Sequence, residues 1–249
     1  MFNLRFDMRA PQVGAPAADL YRTALEMTEW AETRGAGRVL ICEHHMAEDG
    51  YLPSPMAMAS ALAARTSQIP IMVAVVILPL YDPVRLAEEM CIIDIISNGR
   101  ASYVGAIGYR PCEYEMYGID YHRRGAIAEE KLGILLKAKT GEPFEHEGRR
   151  IHVTPPPLTP GGPLVAWGGG SIAAARRAGR HGVSFFGQSD DPERVFGARA
   201  ASAFLVSAMN EGAERHPLPH IERADPLGTV YLVRRKAQEI HPQRLHIHG

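Results

Sequence analysis

What most limits the architecture open to this chain is a repeated alternation of short apolar runs with stretches of helical character. Phe2–Met8 sets Phe2, Leu4 and Phe6 against polar neighbours, as a strand does. Ala17–Arg34 reads as a helix carrying Leu20, Ala24, Met27 and Trp30 and closed by Gly35 and Gly37. Val39–Cys42 is a second strand and Ser54–Ser67 an Ala- and Met-rich helix. Ile69–Leu80 is a continuous run rich in β-branched residues, the mark of a strand covered on both faces. Asp82 then has the character of an N-cap, with Pro83 in the first helical position of a helix reaching about Ile96. Ser97-Asn98-Gly99 stops that helix, and Ala101–Ala106 forms a fourth strand.

The second half continues the pattern. Ala126–Lys139 is helical, and Phe144–Val153 reads as a small hairpin around Gly148. Leu164–Trp167 is a fifth strand, after which Gly168-Gly169-Gly170-Ser171 opens a helix ending near Gly179 to Gly182. Val183–Phe186 is a sixth strand, Asp191–Asn210 a long helix, Thr229–Val233 a seventh strand and Arg235–Ile240 a last helical stretch. Strands alternating with helices of this length imply βαβ units and a parallel sheet. Seven such units in series favour a TIM-type (β/α) barrel over an open doubly wound sheet, formed as one domain over residues 1–249. An eighth strand and helix need more chain than remains, so the barrel is expected to be shortened before its eighth strand.

Composition removes several functions. Twenty-seven basic against twenty-eight acidic side chains give a net charge of -1, with no electrostatic footprint for nucleic acid or an anionic membrane. Ile69–Leu80 is interrupted by Pro70 and Pro79 and is too short to span a bilayer, and the N-terminus has no signal-peptide pattern. Three cysteines, Cys42, Cys91 and Cys112, form no CxxC pair; reduced thiols in a cytoplasmic protein are expected.

Barrel chemistry sits at the carboxyl ends of the strands. After the second strand comes Glu43-His44-His45, where an imidazole serves as acid, base or hydrogen-bond donor near neutral pH. Successive residues at a strand end point in opposite directions, so His44 and His45 are not expected to share a metal, and no metal site is expected. The alternative is a polar strand end satisfied by loop backbone. Ala74, Val75 and Leu78-Pro79-Leu80 read, taken alone, as core. Gly105-Ala106-Ile107-Gly108-Tyr109-Arg110 follows the fourth strand, with glycines that admit close approach of a planar ligand or simply make a turn. Gly168-Gly169-Gly170-Ser171 presents backbone N–H groups at a helix N-terminus, a phosphate site by hydrogen bonding and helix dipole, or else a flexible connection. It lacks the Gly-Lys-Ser/Thr of a Walker loop and the spacing of the dinucleotide fingerprint.

The ordered set of motifs resembles the bacterial luciferase-like monooxygenase family, flavin-dependent (β/α)-barrel enzymes. It comprises Glu43-His44-His45 with Ser54-Pro55, Leu78 to Glu88, Asp94 to Arg100, and Tyr109-Arg110-Pro111 with Glu113-Tyr114. Tyr117 to Asp120, Arg124-Gly125, the hairpin residues Phe144 and Gly148, and the Gly168–Ser171 turn complete it. The resemblance implies that His44 is the active-site histidine beside a flavin ring. It implies that Ala74-Val75 is the flavin-facing strand, typically with a non-proline cis peptide. Ala106 then lies near the ring, where luciferase has a reactive cysteine, and Gly168, Gly169, Gly170 and Ser171 form the phosphate turn. The implied reaction takes reduced FMN from a separate flavin reductase and uses O2 to oxygenate a small organic substrate, in a homo- or heterodimer. Deazaflavin-dependent oxidoreductases, non-catalytic flavin-binding relatives and structural subunits belong to the same resemblance and stand as alternatives.

Overall fold

The computed structural model describes residues 2–12 and 14–187, together with the backbone of 221–223 and 230–233. The elements are β1 (Asn3–Phe6), α1 (Ala17–Glu32), β2 (Arg38–Ile41), α2 (Pro55–Arg65), β3 (Ile71–Ile77), α3 (Pro83–Ser97) and β4 (Ala101–Ala106). They continue with α4 (Pro111–Met116), α5 (Arg124–Ala138), the hairpin β5 (Phe144–His146) and β6 (Arg149–Ile151), β7 (Leu164–Gly169), α6 (Ile172–His181), β8 (Ser184–Gly187), β9 (Ile221–Arg223) and β10 (Val230–Val233). The expected helices at 191–210 and 235–240 lie outside the described residues.

Local chemistry explains the boundaries. Asp82 accepts hydrogen bonds from Val84 N and Arg85 N, both 2.9 Å, ahead of Pro83 at the start of α3. That helix ends at Asn98, left-handed at φ 54°, and Gly99. Arg100 then gathers the carbonyls of Ala63, Thr66, Ile69 and Ser97 at 2.6–3.0 Å and locks α2, β3 and α3 together. Glu147 and Gly148 both take positive φ in the hairpin turn, which suits the strand twist.

The eight-stranded sheet runs β1-β2-β3-β4-β7-β8-β10-β9. The first six are parallel and α1, α2, α3, α5 and α6 supply the helical layer, so the fold is the α/β arrangement of a TIM-type barrel wall. The strand at Val230–Val233 departs from the expected parallel series, since it pairs antiparallel with both β8 and β9. Only residues 224–229 join β9 to β10, a hairpin-length link too short for a helical crossover.

Register separates the two faces of the sheet. Leu4, Phe6, Val39, Ile41, Ile71, Val73, Tyr103, Val165, Trp167 and Phe185 point to the helices and build the core. On the other face Arg5, Leu40, Met72, Ala74, Ala106 and Phe186 are half-buried or exposed. Gly105 is opposite Trp167, and a Cβ there would lie 3.0 Å from the indole ring, so the fully buried tryptophan depends on glycine as its neighbour.

Candidate active site

The carboxyl ends of β2, β3 and β4 carry a continuous polar network. The loop after β2 is pinned by Leu52 N–H to Asp7 O (2.9 Å) and His44 N–H to Leu52 O (3.1 Å). Glu43 and His45 are both buried. One Glu43 oxygen accepts from Tyr81 Oη–H (2.9 Å) and pairs with His45 Nε2 (2.8 Å); the other accepts from Ile77 N–H (2.8 Å). Burial, reinforced by the Glu43 carboxylate, pushes the Tyr81 hydroxyl well up, so it remains a donor. His45 completes its bonding at Nδ1, 3.3 Å from the Tyr117 hydroxyl. Burial and then Glu43 raise Tyr117 in turn.

His44 is held differently. Its Nδ1 is 2.8 Å from Glu113 Oε1, and Glu113 is fully buried in the first turn of α4. The same oxygen accepts from His45 N–H (3.0 Å) and Arg110 Nη1 (3.3 Å), while Arg110 Nη1 also donates to His45 O (2.7 Å). A carboxylate at Nδ1 fixes the tautomer: Nδ1 carries the proton and Nε2 keeps a lone pair in the neutral ring. Nε2 lies 3.3 Å from the Tyr109 hydroxyl, and the ring is flanked edge-on by Tyr51 at 4.7 Å and Tyr109 at 5.3 Å. Burial is the main cause that pushes Tyr51 up to about 12. Tyr114, fully buried, donates to Ile107 O and anchors the loop that carries Tyr109 and Glu113. The His44 side chain is 19% exposed against 4% for His45. Such an imidazole, oriented from behind at Nδ1 and meeting an exposed tyrosine hydroxyl at Nε2, can accept or deliver a proton.

The remaining sequence candidates lie on the same rim. The Ala74–Val75 peptide is cis, and the pairing register with β4 shifts between Ala74 and Val76. The burial alternation breaks there, so both Ala74 and Val75 are half-exposed. Ala106, also half-exposed, ends β4. β7 runs on past the expected end at Trp167, with Gly168 and Gly169 paired to β8; a Cβ on Gly168 would lie 2.9 Å from Val104 Cγ1 and 3.5 Å from Val75 Cγ1. Gly169, at φ 147°, has Ala174 2.8 Å from where its Cβ would be. Gly168 therefore lets β7 lie close against its neighbouring strands, and Gly169 lets the first turn of α6 pack onto the strand end. Ser171 caps α6 through Ala174 N–H (3.2 Å), and the N–H groups of Ile172 and Ala173 precede the first intrahelical hydrogen bond.

Two groupings result. His44 is joined to Tyr51, Tyr109 and Glu113, whereas Val75 and Gly168 approach one another across β4. β2 and β7 are three strand spacings apart, roughly 14 Å, so a ligand touching His44 and the 168–171 turn must be elongated. Sequence reasoning gave Glu113, Tyr109, Tyr51 and Tyr81 no role at the site. The available signal was an acid in the first turn of a Pro-initiated helix just past a glycine-containing strand exit.

Residues 5–220 match the family described as luciferase-like monooxygenase. The chain belongs to that family. Like other luciferase-like monooxygenases, it has similar curated relatives. The 4-hydroxyprotoasukamycin monooxygenase of Streptomyces nodosus subsp. asukaensis is 29% identical over 218 residues, 84% of this chain and 58% of that protein. The oxygenase component of the flavin-dependent trigonelline monooxygenase of Acinetobacter baylyi is 30% identical over 131 residues, 52% of this chain and 36% of the relative. The oxygenating constituent of 3,6-diketocamphane monooxygenase from Pseudomonas putida, solved with FMN, shares the fold. Its TM-score is 0.67 at 21% identity, covering 86% of this chain and 62% of that one. The chain spans 40–58% of the length of the curated relatives it matches first. Among the described residues no helix is long and apolar enough to cross a membrane, and the three cysteines are free.

Proposed function

We propose that this protein is a flavin-dependent monooxygenase that uses reduced FMN and O2 to oxygenate a small organic substrate. The observation that carries this reading is His44, held by a buried glutamate at Nδ1 and facing the exposed Tyr109 hydroxyl at Nε2, on the rim of a luciferase-like barrel wall.

The residues present fit such a cofactor. Ala74, Val75 and Ala106 offer small, half-exposed apolar surface for a planar ring. The turn Gly168-Gly169-Gly170-Ser171, backed by the first N–H groups of α6, offers hydrogen bonds and a helix dipole to a phosphate. Bound reduced flavin supplies the electrons with which oxygen is activated. His44 would move the proton that this chemistry requires at Nε2, and Glu113 would stabilise the imidazolium that forms. Tyr51 and Tyr109 would limit access of water to the imidazole.

A separate flavin reductase and a homo- or heterodimeric assembly belong to the same reading. So do a cytoplasmic location and one domain over 1–249. Support for the reductase comes from the trigonelline relative, named as an oxygenase component. The test is an anaerobic titration with reduced FMN, oxidised FMN and a reduced deazaflavin, followed by admission of oxygen and a substrate panel. Saturable binding of reduced FMN with oxygen-dependent product is expected. Binding of deazaflavin alone would replace the monooxygenase by a hydride-transferring oxidoreductase. Binding without product would make the chain a non-catalytic flavin-binding relative, and no binding would overturn the proposal.

A further inference from the structure

The two histidines after β2 each end on an exposed tyrosine, but their carboxylates differ. Glu43 is saturated: His45, Tyr81 and Ile77 N–H occupy both of its oxygens. Glu113 places His44, His45 N–H and Arg110 on Oε1 alone, and its buried Oε2 has no hydrogen-bond partner. The carboxylate behind His44 therefore keeps acceptor capacity for a charge that forms later. In front of His44 stands Tyr109. The residue is 63% exposed, its hydroxyl is 3.3 Å from Nε2, and its carbonyl is tied down by the Tyr121 hydroxyl at 3.1 Å. A residue that exposed would ordinarily wander, yet both ends of this one are fixed.

We infer that Tyr109 is the terminal proton-transfer group of the site, its hydroxyl standing between His44 Nε2 and the bound ligand. This rests on the monooxygenase reading above. Nδ1–H faces Glu113, so Nε2 accepts from Tyr109 O–H and leaves the phenolic oxygen free to accept from a ligand. When a ligand X–H bond breaks, its electron pair stays on X and its proton passes to the phenolic oxygen. The phenolic proton moves at the same time to Nε2. The products are X⁻, an intact tyrosine and an imidazolium whose other N–H already points at Glu113. The reverse sequence delivers a proton to the ligand.

The test begins on the protein without any flavin, using side-chain ¹⁵N NMR of histidine-labelled wild type and Tyr109→Phe, a change that keeps the ring. In wild type, His44 is expected as the Nδ1–H tautomer with a hydrogen-bonded Nε2. In Tyr109→Phe the Nδ1 proton stays and the Nε2 resonance moves to that of a free lone pair. An unmoved Nε2 resonance overturns the proposal. With reduced FMN and oxygen, Tyr109→Phe should then lower the rate by about 10²-fold while leaving flavin affinity within about 2-fold. Turnover equal to wild type overturns the relay even where the NMR shift is seen. Tyr121→Phe frees the Tyr109 backbone but keeps the hydroxyl, and a fall much smaller than that of Tyr109→Phe is expected; an equal fall assigns the effect to loop order and overturns the relay. A wild-type chain with the NMR signature but no flavin binding overturns the monooxygenase reading and the relay together, and the intact signature distinguishes that failure from the others.

Discussion

His44 and His45 are neighbours in sequence, and each is 2.8 Å from a buried glutamate, yet they sit in opposite chemical situations. His45 is 4% exposed, with both ring nitrogens engaged and its main chain clamped by Arg110 and Glu113. His44 turns one nitrogen inward and the other toward a rim of exposed tyrosine. The difference arises from strand geometry, because successive residues leaving β2 point to opposite sides. One lands among Glu43, Tyr81 and the start of the turn after β3; the other lands at the open face. In the reading proposed above, the same residue pair serves once as a structural clamp and once as a proton-handling group.

The comparison can be broken from its structural side first. Glu43→Ala removes the acceptor for His45, Tyr81 and Ile77 N–H at once and leaves three buried groups unpaired. A loss of about 3–5 kcal/mol is expected in urea unfolding. A loss below about 1 kcal/mol would mean that the clamp is not structural.

Glu113→Gln sharpens the other side. The amide keeps the shape but no longer enforces Nδ1–H on His44. Turnover with reduced flavin should fall by about 10²-fold, while the unfolding midpoint moves by the equivalent of roughly 1–2 kcal/mol. A stability loss matching that of Glu43→Ala, with turnover unchanged, would reverse the assignment of the two glutamates.

A third histidine–carboxylate pair gives the smallest effect. On α6, His181, Arg177 and Arg180 all meet Glu129 of α5 at 2.6–2.9 Å. Partial burial works against ionisation of Glu129, but Arg180, Arg177 and His181 outweigh it and hold the carboxyl at about 2. A depressed folded-state value means that the stabilisation is full above the unfolded carboxyl range and is lost as pH falls from about 4.5 toward 2. Because the group is part-exposed, screening leaves less than about 1 kcal/mol. Glu129→Gln should flatten the acid limb of stability in that window, lower stability near neutrality by less than about 1 kcal/mol, and converge with wild type near pH 2.

Much of the wall was readable from local chemistry. Asp82-Pro83 declares a helix start because a carboxylate cap and a residue without N–H suit the first turn, and both act there. The β-branched run before it became β3 within two to three residues at each end. The direction of the strand at Val230–Val233 was not readable, since apolar composition carries no polarity of chain. Nor was the buried stripe of α1: Ala24, Thr28 and Ala31 pack inward, while Met27 and Trp30 face out with Arg34 4.4 Å above the indole. Small residues let the helix lie close, and hydrophobicity alone ranks them last. At the site, His44 and the Gly168–Ser171 turn were readable as candidates from their places at strand ends, although a polar strand end and a plain connection were equally open readings of the residues alone. Glu113 did not, because its partner is 69 residues away and only the β2-β3-β4 order brings the two together.

The most direct measurement compares His44→Gln with His45→Gln in one set of preparations. Each would be assayed for reduced-FMN affinity, oxygen-dependent turnover and unfolding free energy. His44→Gln should lose about 10²–10⁴-fold in turnover, keep flavin affinity and stay within about 1 kcal/mol of wild-type stability. His45→Gln should instead lose about 2–3 kcal/mol of stability through the buried network, with its residual turnover tracking the folded fraction. Equal losses of binding and turnover in His44→Gln, or the two profiles exchanged, would contradict the division of labour between the histidines.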